Sequence, residues 1–149
     1  MKKLACFMIA FLLVLSMPVT AFAAEPKDGV ITIDDAVVGE TYTIYQIAVL
    51  ESFQDQHPDD PSDGAYSYRP AAAWADWLDN ASKGGKYFTI NDDGYVQAKA
   101  DINVEAFARE ALEFVSTASI QPAKTAVKAT SASVSFTDLE LGYYLVDTT

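Results

Sequence analysis

The residues best equipped for chemistry sit in a polar stretch, residues 54–64. It holds His57, the only histidine of the chain, together with Asp55, Asp59, Asp60 and Asp63. A histidine next to a serine and an aspartate can act as a general base, but only in a tightly ordered geometry that a polar loop does not supply. His57 is therefore read as a solvated loop residue. Four carboxylates could gather around calcium, which takes several oxygen ligands. Their spacing matches no calcium-loop motif, and Pro58 and Pro61 break it. Asn91-Asp92-Asp93-Gly94 reads as hairpin chemistry rather than a ligand set. Trp74, Trp77 and the eight tyrosines could stack on sugar rings. The helical spacing of the tryptophans with Leu78 makes them core residues first. There is no Gly-rich phosphate loop and no Cys or His metal spacing. No catalytic, cofactor-binding or metal-binding residue is assigned, and no enzyme is expected. Asn80-Ala81-Ser82 matches a glycosylation sequon and is taken as incidental.

The elements that must hold these residues are mostly strands. Val30-Ile31-Thr32-Ile33 is a short β-branched strand, and Asp34-Asp35 and Gly39-Glu40 bracket the turn that follows. Residues 41–50 form the longest strand candidate. One face carries Tyr45, Ile47 and Val49, and the other carries Tyr42, Ile44, Ala48 and Leu50. Apolar on both faces, this strand should lie centrally, with a second sheet on one side and a helix or loop on the other. Strand character resumes at residues 65–69. Pro70 suits the first turn of a helix carrying Trp74, Trp77, Leu78 and Ala81, about three turns long and ended by Gly84-Gly85.

A hairpin is expected over residues 87–98, turning at Asn91–Gly94. A second helix is expected over 104–117, capped by Asn103, with a stripe of Phe107, Ala108, Ala111, Leu112 and Val115. Residues 116–130 read as a loop with a short edge strand. Ser133-Val134-Ser135-Phe136-Thr137 alternates cleanly, and a final strand follows Gly142. The pattern predicts a mainly β domain, an immunoglobulin-like β-sandwich with two inserted amphipathic helices; a three-layer α+β domain is the alternative.

Both ends of the chain carry information. Lys2 and Lys3 precede an apolar run, and Ala21-Phe22-Ala23 supplies the small residues a signal peptidase reads, so cleavage is expected between Ala23 and Ala24. The short apolar core and Pro18 disfavour a membrane-spanning helix. Removing residues 1–23 leaves 126 of 149 residues, without cysteine and with no membrane segment. That length suits one domain with a core of its own. A cysteine-free exported domain points to a bacterial surface. With Lys2 and Lys3 gone, 21 acidic side chains face 8 basic ones, a net charge near −13. Such a surface repels phosphate backbones and anionic membranes. The closing run Leu139–Thr149 is a turn feeding a two-sided apolar strand, and residues 24–149 are expected to be a domain incomplete at its C-terminus.

Several stretches taken in order resemble a known family. Ile31-Thr32-Ile33 followed by Gly39-Glu40-Thr41-Tyr42-Thr43-Ile44-Tyr45-Gln46-Ile47 resembles the opening of the N-terminal domain of major pilin subunits from sortase-assembled pili of Gram-positive bacteria. Ala65-Tyr66-Ser67-Tyr68, the tryptophan helix, Tyr87-Phe88-Thr89-Ile90-Asn91 and Gly94-Tyr95-Val96 follow in that domain's order. Leu139 through Asp147 resembles its closing strand. The resemblance implies a fibre building block on the cell wall, supporting adhesion. Its partners would be other pilin subunits, a pilin sortase and host matrix.

In that family a sortase joins the threonine of an LPXTG-like signal to a lysine in a YPKN-like motif. Neither motif is present, and the lysines at 27, 83, 86, 99, 124 and 128 lie in no such context. Relatives often carry a Lys–Asn isopeptide bond beside a buried carboxylate. Here Gln46 stands where some have the lysine, Thr148 stands roughly at the acid with Asp147 adjacent, and the asparagine would lie past Thr149. The bond is not assigned. Two rivals are a carbohydrate- or matrix-binding adhesin domain and an accessory domain of a secreted enzyme. An exposed row of aromatics would favour the sugar binder.

Overall fold

The computed structural model describes residues 29–54 and 65–149. The Ala23–Ala24 junction, His57 and the aspartates at 55, 59, 60 and 63 lie outside the described residues. In chain order the elements are β1 (Gly29–Asp34), β2 (Thr41–Gln54), β3 (Ala65–Pro70), α1 (Ala75–Asp79), β4 (Phe88–Ile90), β5 (Val96–Ala98), α2 (Val104–Ala118), β6 (Val127–Lys128), β7 (Ser133–Leu139) and β8 (Gly142–Thr148). The chain is mainly β, with several sheets and two short helices.

β2 organises everything else. One edge pairs antiparallel with β8, from Tyr42 opposite Thr148 to Val49 opposite Gly142, with a bulge between Gln46 and Ala48. Its other edge pairs with β3 over the C-terminal half and with β6 at Thr41 and Tyr42. Among the described residues β8 has no second partner strand. β1 pairs antiparallel with β7, from Gly29 opposite Leu139 to Asp34 opposite Ser133, as a separate two-stranded sheet.

Both faces of β2 are covered, as its two-sided apolar pattern requires. Tyr42 and Ile44 join Val134, Phe136 and Leu139 of β7 in one cluster, with Ile31 and Ile33 of β1 packed against it. Tyr45 and Ile47 join Leu145 of β8, Trp74, Trp77, Leu78, Tyr87, Phe107, Ala111 and Val115 in the other. One strand thus contributes to two cores.

The tryptophan helix is shorter than its periodicity suggests. Pro70 does not open it but closes β3, paired with Ala48. Ala71 stays extended and donates its N–H to Ile47 O at 2.8 Å. A 3₁₀ turn at Ala72–Trp74 leads into the five residues of α1, and Asn80 turns extended. Ala81 is consequently exposed instead of lying on the buried stripe. Gly84 takes that place: a Cβ there would sit 2.5 Å from Cε3 of Trp77, so only glycine lets the indole lie flat on the chain. Trp74 and Trp77 are buried as expected.

α2 follows its stripe, with one addition. Phe114 packs on both indoles, with ring centroids 5.3 Å from Trp74 and 5.4 Å from Trp77. Its start is fixed by Asn103, whose Oδ1 accepts from Ala106 N at 2.9 Å. Asn103→Ala should cost about 1 kcal/mol, the usual loss for a polar N-cap. Urea unfolding of the variant measures it; an unchanged midpoint would show that tertiary packing alone holds the first turn. The hairpin β4–β5 forms as expected, with Asn91 Oδ1 accepting from Asp93 N and Tyr95 N and Gly94 at φ 84°.

Candidate functional site

Among the described residues, three surface constellations gather polar and aromatic groups outside the core. The first is a row of tyrosines. Tyr68 on β3 lies 6.4 Å from Tyr66 and 4.4 Å from Tyr143 on β8, centroid to centroid. β3 and β8 are brought side by side by pairing with opposite edges of β2, where Ala48 is opposite both Pro70 and Tyr143. Tyr66 is 44% and Tyr143 54% exposed. Partial burial, then the neighbouring phenol of Tyr143, pushes the Tyr68 phenol upward. It presents apolar ring area with hydroxyl tips on a strongly acidic protein.

The second constellation ties the hairpin to the sheet. Arg69 donates through Nε to Glu51 Oε2 at 2.7 Å and through Nη1 to Asp93 O at 2.8 Å, and its guanidinium lies 4.6 Å from the Tyr95 ring centre. Across the domain, Lys86 and Tyr87 both donate to Glu110 of α2, at 2.7–3.0 Å. The hydrogen bond from Arg69, then that from Tyr95, holds the Glu51 carboxyl below its ordinary value. Lys86, then Tyr87, does the same for Glu110.

A carboxyl whose folded pKa is lowered stabilises the fold above its unfolded pKa, and loses that contribution as pH falls through the folded value. Thermal stability should therefore fall on acidification below about pH 4.5, the unfolded glutamate range. Removing both groups as Glu51→Gln with Glu110→Gln should flatten that acid limb. Melting curves from neutral to acid pH in low and high salt test this. The effect should shrink in salt because both pairs are exposed.

The third is a groove where β7 crosses to β8. It has a volume of about 240 Å³ and is lined by Gln46, Lys124, Asp138, Glu140 and Tyr144 among others. Gln46 lies opposite Tyr144 on β8. Its Nε2 is buried and has no hydrogen-bond partner. The rim is pinned on both sides: Ala123 N donates to Ile44 O at 2.8 Å, and Tyr144 OH donates to Glu140 O at 2.7 Å. Asp138 holds a left-handed φ of 53° and accepts from Thr137 Oγ1 at 2.9 Å.

The positions singled out for cross-linking are not assembled into one site. Asp147 lies opposite Thr43 and Thr148 opposite Tyr42, whereas Gln46 lies opposite Tyr144, three or more residues along the same ladder. Burial, then the charge of Asp147, pushes the Tyr45 phenol upward, and Asp147 is not among the residues lining the groove. Lys124, from a different segment, lines the same groove as Gln46. Among the described residues no group of three or more His, Cys, Asp or Glu side chains is placed to hold a metal, and no helix is long and apolar enough to cross a membrane. No protein-family model matches the chain, and no curated protein or solved structure matches it either.

Proposed function

We propose that this chain is the N-terminal spacer and packing domain of a structural subunit of a sortase-assembled pilus, built as an embellished immunoglobulin-like sandwich. One observation carries the reading. Two of the stretches that carry the resemblance, residues 39–47 and 139–147, lie far apart in the chain and pair with each other within β2 and β8. Motifs that shared only composition would have no reason to meet along one ladder. A module whose central strand is packed on both faces and which contains no cysteine in residues 24–149 suits a rigid extracellular spacer. Subunit joining would be the work of a sortase, acting on a lysine and a sorting signal outside this sequence.

The test is an immunoblot of cell-wall extracts from the producing organism with antibody raised against residues 24–149. A ladder of bands that survives boiling in detergent and vanishes on deletion of the sortase supports the reading. A single species confined to the culture medium overturns it.

The tyrosine row favours a second reading, a carbohydrate-binding adhesin domain. Aromatic faces stack on the apolar faces of sugar rings, and a neutral polyol is not repelled by an acidic protein. Binding to immobilised neutral glycans that is lost in Tyr68→Ala with Tyr143→Ala, while the fold is retained, would move the assignment to this class.

A further inference from the structure

We propose that Tyr68 and Tyr143 form an oxidative cross-linking site, at which hydrogen peroxide acting through a haem peroxidase joins the two rings as ortho,ortho′-dityrosine and staples β3 to β8. The site uses the tyrosine row but rests neither on pilus assembly nor on sugar binding.

Contact is the first ground. The two ring centroids lie 4.4 Å apart with 42° between the planes. Burial first, then the charge of Tyr143 and a hydrogen bond between the two hydroxyls, act on the Tyr68 phenol. The rings therefore meet at their hydroxyl ends, which brings together the ring carbons beside the hydroxyls, where phenoxyl radicals couple. The product has the same arrangement, two tilted rings with neighbouring hydroxyls. Tyr66 is a poorer partner for Tyr68, farther off at 6.4 Å and stacked nearly parallel at 19°.

Register is the second ground. Tyr68 lies opposite Leu50 and Tyr143 opposite Ala48. Ala48 and Leu50 point to one face of β2, so both rings stand on that face, held by two ladders. Such fixed contact favours coupling within a molecule over coupling between molecules. Tyr143 is more than half exposed, so an oxidant can reach the pair.

The step balances as follows. Each phenol gives up its hydroxyl hydrogen, one electron and one proton, to the oxidised haem. The two phenoxyl radicals form one carbon–carbon bond, and the hydrogen on each bonded carbon moves to its oxygen and restores the ring. Hydrogen peroxide takes up both electrons and both protons and leaves as two waters. Residues 24–149 contain no cysteine, so no disulfide can join these strands. The tyrosine link would constrain the unfolded chain between residues 68 and 143 as a disulfide does.

Dilute protein is treated with a haem peroxidase and hydrogen peroxide, under conditions that couple N-acetyltyrosine amide, and its digest is read by mass spectrometry. A monomer lighter by two hydrogens is expected, with biphenol fluorescence and a peptide pair joining Tyr68 to Tyr143, in a yield independent of protein concentration. Tyr68→Phe and Tyr143→Phe keep the rings and should each lower that yield at least about tenfold, the scale on which lost proximity is felt. Tyr66→Phe should leave the link in place. The joined monomer should unfold at higher urea than the untreated protein. Four results overturn the proposal: no dityrosine, links that form only between molecules, a link from Tyr66 to Tyr68, or a joined product whose urea midpoint has not moved.

Discussion

Trp77→Ala should destabilise the domain by about 3–5 kcal/mol, the range for emptying an aromatic core position. Trp77 is 5% exposed and belongs to the helix-side core. Its ring lies 5.6 Å from Trp74 in an edge-on arrangement, 6.0 Å from Phe107, and stacked at 19° on Phe114. Gly84 closes the remaining side so tightly that no side chain fits between. Truncation leaves a void bordered by other rings, and these cannot collapse into it without losing their own contacts. Trp77→Phe should recover part of the loss. Urea unfolding monitored by circular dichroism gives the number, read from the midpoint at constant slope. A midpoint equal to wild type would place the indole outside the core.

Gly142→Ala should be nearly as costly, about 3 kcal/mol or more, the upper part of the range for overpacking. A Cβ at Gly142 would overlap the carbonyl oxygen of Ala48 on the paired strand. Both colliding groups are tied into the ladder that joins β2 to β8, so neither can swing aside as a flexible side chain would. The added methyl would also crowd the Gln46 amide, 3.3 Å away. Relief requires parting the two strands at the start of β8. Val146→Ala, on the same strand but 39% exposed, serves as the control and should change stability little. Equal losses in the two variants would mean that Gly142 owes nothing to the close approach.

The central place of β2 is legible because residues 41–50 are apolar on both faces, a pattern with few other solutions. α2 and its cap are legible for a similar reason, since Asn103 precedes a clean 3.6-residue period. Phe114 belongs to the same face as Phe107, seven residues on, and the i, i+7 relation is the signal that finds it. The tryptophan helix is legible in its buried face and not in its length. Periodicity cannot see that Pro70 is held in a strand by Ala48, which delays the helix until Ala72. The tyrosine row is illegible beyond Tyr66 and Tyr68, because Tyr143 joins it only through a register set across β2. The Gln46 groove has a fainter trace: one amide between Tyr45 and Ile47 in an otherwise apolar run. Its partners Lys124 and Asp138 come from segments that no local pattern connects to it.

The pairing of β1 with β7 and of β2 with β8 sets the order of events when the chain leaves the ribosome N-terminus first. Strands made early wait for strands made about a hundred residues later: Tyr42 needs Thr148, and Gly29 needs Leu139. Neither core can close while residues 133–148 are still inside the tunnel. Local contacts in α2 and the β4–β5 hairpin form early, but the ladders that carry the fold close loops of about a hundred residues and form slowly. Until then the two apolar faces of β2 lack the residues that cover them in the fold. The same delay leaves β2 extended and uncommitted until residues 133–148 have emerged.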